Sequence, residues 1–188
     1  MNHPAHMNRP IPGGQAASGL RTRLLAYTAL SAAMITLMTA YICHIPLGFN
    51  GGYIHLGDSL IYLTAALLPT PCAVAAAAVG GGIADLLTAP MWTPVTLVVK
   101  ALIALPFTSR HGKILCARNI AAPFIALAVS GCGYYLANAF LMGGFKGGLI
   151  AYLLSGSLFQ SAGSAVIFFA AGACLDRTGF KKRFLSNF

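Results

Sequence analysis

Acidic residues are almost missing from this chain. Asp58, Asp85 and Asp176 are the only three, against 12 Lys+Arg. So few carboxylates exclude chemistry that gathers several of them around a metal or a phosphate. Charge of either sign is scarce: 8% of the 188 residues are charged, against about 25% in a soluble domain. A water-soluble enzyme built on one packed core is therefore excluded. Catalytic motifs are missing too. No G-x-x-x-x-G-K-[ST] occurs, so the chain cannot hydrolyse ATP by the P-loop route, and neither G-x-S-x-G nor H-E-x-x-H is present. The five cysteines, Cys43, Cys72, Cys116, Cys132 and Cys174, are scattered without a C-x-x-C pair, which argues against a zinc site or a disulfide framework. Neither a metal nor a cofactor is expected.

What the chain does have is apolar length. It is 57% hydrophobic, with a mean hydropathy of +0.76. A bilayer core about 30 Å thick takes roughly 20 apolar residues per helix. The stretches Leu24–Cys43, Tyr53–Leu68, Cys72–Thr88, Pro94–Thr108, Ala121–Met142 and Leu149–Leu175 predict an all-α integral membrane bundle of six transmembrane helices. Pro69 with Pro71, and Pro90 with Pro94, mark tight turns. Residues 1–20 read as a disordered cytoplasmic tail, 21–178 as the membrane domain and 179–188 as a basic cytoplasmic tail. Six spans put Arg9, Arg21, Arg23, Arg110, Lys113, Arg118, Arg177, Lys181, Lys182 and Arg183 on one side and only Lys146 in an outer loop. That asymmetry places both termini in the cytoplasm of a multi-pass plasma-membrane protein. The basic residues sit at the ends of apolar stretches, which is topology and not a nucleic-acid footprint.

Three patterns carry function. Ala26, Ala29, Ala33, Thr36 and Ala40 fall on one stripe of the first helix. Small side chains let membrane helices approach closely, so the stripe is either internal packing or a docking face for another membrane subunit. Gly80, Gly81 and Gly82 suit close helix packing, or a pivot. The third pattern is intramembrane charge. Counting along the helices puts Asp85 about 7 Å and Lys100 about 9 Å below the outer turn, a match in depth that invites an ion pair. A charge there is costly unless paired or facing a wet cavity. Asp58, His55, Trp92, Thr93, Thr96, Tyr134, Tyr135 and Asn138, with Ser157, Gln160, Ser161 and Ser164 on the last helix, gather in the same outer half. From these the candidate substrate-binding set is Asp58, Asp85, Trp92, Thr96, Lys100, Tyr135, Asn138, Ser157 and Gln160. Such a pocket suits a small, planar, polar molecule. The segments His44–Gly57 and Met142–Gly148 are candidate lids.

The runs Gly52-Tyr53-Ile54-His55-Leu56-Gly57-Asp58-Ser59-Leu60-Ile61-Tyr62-Leu63, Gly82-Ile83-Ala84-Asp85-Leu86-Leu87 and Pro94-Val95-Thr96-Leu97-Val98-Val99-Lys100-Ala101-Leu102 resemble the substrate-binding S components of energy-coupling factor (ECF) vitamin transporters. The L-G-D, A-D-L-L and T-x-x-x-K elements look like those of the group with pyridoxine and hydroxymethylpyrimidine carriers. One departure is Pro69-Thr70-Pro71-Cys72-Ala73, where that group tends to carry G-P-x-x-G. The resemblance implies a six-helix subunit that takes a vitamin from outside. It also implies docking through the first helix, where Ala29-x-x-x-Ala33 fits the motif, onto a transmembrane T component carrying two ATPase subunits.

The expected function is therefore non-enzymatic capture of a water-soluble vitamin or precursor for ATP-driven uptake. The competing reading is an ion- or proton-coupled carrier with Asp85 and Lys100 as its relay. An intramembrane enzyme ranks third.

Overall fold

The computed structural model describes residues 12–42, 44–46, 53–141, 143–144 and 157–185. Helix α1 runs Pro12–Leu37 and continues as a π-helical turn, Met38–Ile42. The expected tail, residues 1–20, thus overlaps the first turns of α1, and residues 1–11 lie outside the described part. A short antiparallel ribbon follows, β1 (His44–Pro46) with β2 (Tyr53–His55), His44 opposite His55. Then come α2 (Asp58–Leu67), α3 (Thr70–Thr88), a 3-10 turn at Pro90–Trp92, α4 (Thr93–Ala104), α5 (Ala117–Leu141), α6 (Leu158–Arg177) and α7 (Phe180–Leu185).

Among the described residues, four helices are long and apolar enough to cross a membrane: Ser18–Ile42, Thr70–Thr88, Ala117–Leu141 and Leu158–Arg177. Asp58–Leu67 and Pro90–Ala104 are shorter apolar helices. The apolar stretch from Tyr53 is helical only from Asp58, because Tyr53, Ile54 and His55 pair with β1. Prolines act as read: Pro71 and Pro94 lie in the first turns of α3 and α4, where a missing N–H costs nothing.

The three consecutive glycines are contact points. A Cβ on Gly80 would lie 2.7 Å from the Ala32 carbonyl oxygen and 2.9 Å from Ile35 Cβ, on α1; one on Gly81 would lie 2.7 Å from Lys100 Cγ, and one on Gly82 2.5 Å from Leu97 Cδ2, on α4. Thr36 adds a side-chain bond across the α1–α3 seam, donating to the Gly80 carbonyl at 2.9 Å. Tight packing is thus what this run does, and it seats α3 between α1 and α4.

Below, Tyr62 stacks on Phe107 with ring centroids 4.8 Å apart, and Phe168 meets both edge-on. At that end the 105–116 connection is fixed by side chains. Asn119 donates to the Thr108 and Ile114 carbonyls and accepts the Thr108 N–H. Asp176 accepts the Ile114 and Leu115 N–H groups at 2.7 and 2.9 Å. Lys181 Nζ donates to the Lys113 carbonyl at 3.2 Å, and burial holds the lysine below its ordinary pKa of 10.5.

Candidate polar site

The three sequence elements meet in space. In L-G-D, Gly57 is required by contact: a Cβ there would lie 2.0 Å from Thr39 Oγ1 of the π turn. That approach brings Asp58, the first residue of α2, inward, where it is fully buried. Its carboxylate accepts from Lys100 Nζ at 2.6 Å and from Gln160 Nε2 at 3.1 Å. The Gln160 oxygen in turn accepts the His55 backbone N–H at 3.4 Å. One amide therefore links α6, β2 and the start of α2.

His55 fills the remaining side. Its Nδ1 accepts the Gly57 N–H at 3.1 Å, and its Nε2 lies 3.5 Å from Lys100 Nζ. The Gly57 N–H and the Lys100 ammonium thus approach the two ring nitrogens as donors, and a neutral ring can accept at only one of them. Lys100 also lies 5.7 Å over the Tyr134 ring.

The elements A-D-L-L and T-x-x-x-K face each other across α3 and α4. Thr96 donates to Asp85. Since its one hydrogen is used there, the 2.8 Å contact between Thr96 Oγ1 and Tyr134 Oη is donated by the tyrosine. Tyr134 meets Trp92 edge-on at 6.1 Å. Among the described residues, buried Trp92 Nε1 and Ser164 Oγ have no hydrogen-bond partner. Such groups cost free energy unless something satisfies them.

This geometry corrects one expectation. Lys100 forms its ion pair with Asp58, not with Asp85 as the depth estimate suggested. The helices are antiparallel, with Lys100 Cγ beside Gly81 and Thr96 beside Asp85, and Asp85 takes its bond from Thr96 instead.

Of the candidate residues, Asp58, Lys100 and Gln160 form one network and Asp85, Thr96 and Trp92 lie in the second. Tyr135 and Asn138 are half-buried on α5, and Ser157 is half-buried where α6 begins. His55 and Tyr134 join these networks although the candidate set lacks them: their only signal in the sequence is an imidazole or aromatic beside a motif, which interface anchors share. Of the candidate lids, residues 47–52, 142 and 145–148 lie outside the described part.

The stripe on α1 divides in two. Ala26, Ala29 and Ala33 are exposed, whereas Thr36 is half-buried on α3 and Ala40 is buried. Leu30, Met34 and Leu37 are exposed beside it.

An apolar helical bundle with a buried polar cluster is a multi-pass membrane protein with an internal site. A family model described as ECF-type riboflavin transporter, S component, matches residues 19–176, and the chain belongs to that family of ECF-transporter S components. No curated protein matches the chain significantly. The family comprises membrane substrate-binding subunits of ECF transporters, which work with a T component and ATPases and are not enzymes. Membership overturns the ion-coupled reading.

Proposed function

We propose that this chain is a six-span S component with both termini in the cytoplasm of the cell that carries it. It binds a water-soluble heteroaromatic vitamin or precursor, of the pyridoxine or hydroxymethylpyrimidine kind, from outside. The observation that carries the reading is the polar cluster itself. Asp85, Thr96 and Tyr134 form a chain of hydrogen bonds next to Trp92, whose buried indole N–H has no partner among the described residues. A ligand with a ring acceptor satisfies that donor, and an aromatic ring suits the Trp92 and Tyr134 faces. The family name points to riboflavin, a larger planar vitamin with the same classes of donor and acceptor.

Recruitment of the T component with two ATPase subunits is assigned to Ala26, Ala29 and Ala33, which are small, exposed and in line. Thr36 belongs instead to the seam with α3, and Ala40 is buried. In this reading the bound vitamin is carried inward through the partner's ATP cycle.

The test is a thermal-shift and native mass-spectrometry series on the purified chain without ATP, using pyridoxine, hydroxymethylpyrimidine and riboflavin. A rise in midpoint with one of the two smaller ligands is the expected result. A response to riboflavin alone replaces the substrate but keeps the role, and silence toward all three B-group compounds and related bases removes the reading. Ala29→Leu with Ala33→Leu should abolish uptake by the assembled transporter and leave that shift intact. Equal loss of both would return the stripe to internal packing.

A further inference from the structure

The end of the bundle opposite the polar site carries charge that vitamin capture does not use. Three contacts assemble it. Tyr27 of α1 meets Phe184 of α7 edge-on at 5.0 Å. Lys181 of α7 reaches the Lys113 carbonyl. Arg118 of α5 donates to the Pro106 and Leu105 carbonyls. The chain leaves α6 through Gly179, whose φ of +65° is a left-handed conformation that favours glycine. So α7 turns off the α6 axis and reaches toward α1 across the bundle end. Its residues divide by direction: Lys181 is buried, while Lys182 and Arg183 are exposed. Phe180 is exposed and stacks on Phe184 at 5.8 Å.

Arg21, Arg23, Arg110, Lys113, Arg118 and Arg177 are exposed on the same end as Lys182 and Arg183. The one acid there is Asp176, and both its oxygens accept backbone N–H groups. The other two acids of the chain, Asp58 and Asp85, are buried in the opposite half. Among the described residues this surface carries no further Asp or Glu, and it carries a short helix with an exposed aromatic among its cations. Aromatic and basic side chains side by side fit the headgroup layer, where rings sit at the boundary and cations meet phosphate.

We infer that this end is an anionic-lipid binding surface. Helix α7 lies along the headgroups with Phe180 at the acyl boundary. Lys182, Arg183, Arg110 and Lys113 hold lipid phosphates. Lys181 tethers the helix to the 105–116 connection, so that the cations on both move as one plate. The reading is independent of which vitamin is carried.

Native mass spectrometry of the full chain in detergent, with equal phosphatidylglycerol and phosphatidylcholine, tests it. The wild-type chain should retain phosphatidylglycerol preferentially. Each basic residue removed should weaken that retention about fivefold. The variant Arg110→Gln/Lys113→Gln/Lys182→Gln/Arg183→Gln should show no preference, with an unchanged thermal midpoint in phosphatidylcholine alone. The pair Lys182→Gln/Arg183→Gln, confined to α7, should give an intermediate loss. Excess inorganic phosphate should leave the lipid adducts in place. Preference surviving in the four-residue variant overturns the proposal. So does displacement by inorganic phosphate, which would mean a free-anion site. Binding of the T component lost in that variant, with lipid retention unchanged, would overturn it in favour of a protein contact.

Discussion

The two ends of the bundle each hold an aspartate and a lysine that bond in opposite ways, Asp58 with Lys100 at one and Asp176 and Lys181 at the other. At the polar site, Asp58 and Lys100 bond to each other at 2.6 Å, and Gln160 joins them from a further element. At the other end, Asp176 and Lys181 each bond to backbone of the 105–116 connection. Side chains bound to side chains join helices far apart in sequence, and their partners can be exchanged for a ligand. Side chains bound to backbone fix the shape of one loop, with nothing to exchange. The first arrangement suits a site that must take up and release a guest. The other suits a surface that must keep its form.

Breaking the Asp58–Lys100 pair should have the largest effect. Lys100→Met leaves the Asp58 carboxylate buried without its cation, a change worth about 3–5 kcal/mol. Adding Asp58→Leu removes the stranded charge and should restore most of the thermal stability in detergent. If the double variant is as unstable as the single one, the two residues do not act as a pair and the contrast between the halves fails. Next in size is Gly57→Ala, whose Cβ would fall 2.0 Å from Thr39 Oγ1. Overpacking of this kind costs about 1–3 kcal/mol. Thr39→Ala in the same chain should recover part of it, since the Thr39 Cβ stands farther off, at 3.2 Å.

How much of this was legible in the sequence differs between the halves. Apolar runs and prolines located the helices, and three short elements marked the residues that converge at the polar site. Their pairing was not legible. Depth was counted along α3 and α4 from one turn, which cannot resolve a single helical turn. Nor could it show that Gly57 against Thr39 draws a third element, the start of α2, into reach of Lys100. The ribbon was hidden for a related reason: Tyr53 and Ile54 continue the apolar run of the helix they precede, and a strand of three residues is too short for alternation to appear. At the other end, the basic count was plain, but the service of Asp176 and Asn119 to backbone was not. A lone polar residue near a helix terminus gives no sign of which distant N–H it will accept.

The backbone-bound half should yield less when broken, and more locally. Asp176→Asn keeps one acceptor oxygen and turns an amide N–H toward a backbone N–H. The loss should be about 1–3 kcal/mol, seen as faster hydrogen exchange at the Ile114 and Leu115 amides while the ligand-induced shift is unchanged. A change in ligand affinity would mean that the two halves are coupled.

The smallest effect belongs to Lys181, and its sign follows from burial. The folded chain holds this lysine below its ordinary pKa of 10.5, so between the two pKa values the folded state binds fewer protons than the unfolded one. Stability therefore rises with pH across that window. The penalty for burying the cation is complete below the folded pKa and is relieved by the time pH reaches about 10.5. Lys181→Met removes the titration and should flatten the rise. The measurement is the difference in thermal midpoint between wild type and variant from pH 8 upward, in which contributions from the other lysines cancel. A difference that does not change with pH would show that the Nζ on the Lys113 carbonyl is as well solvated as a surface lysine. The tether that holds α7 to the connection would then be a weak one.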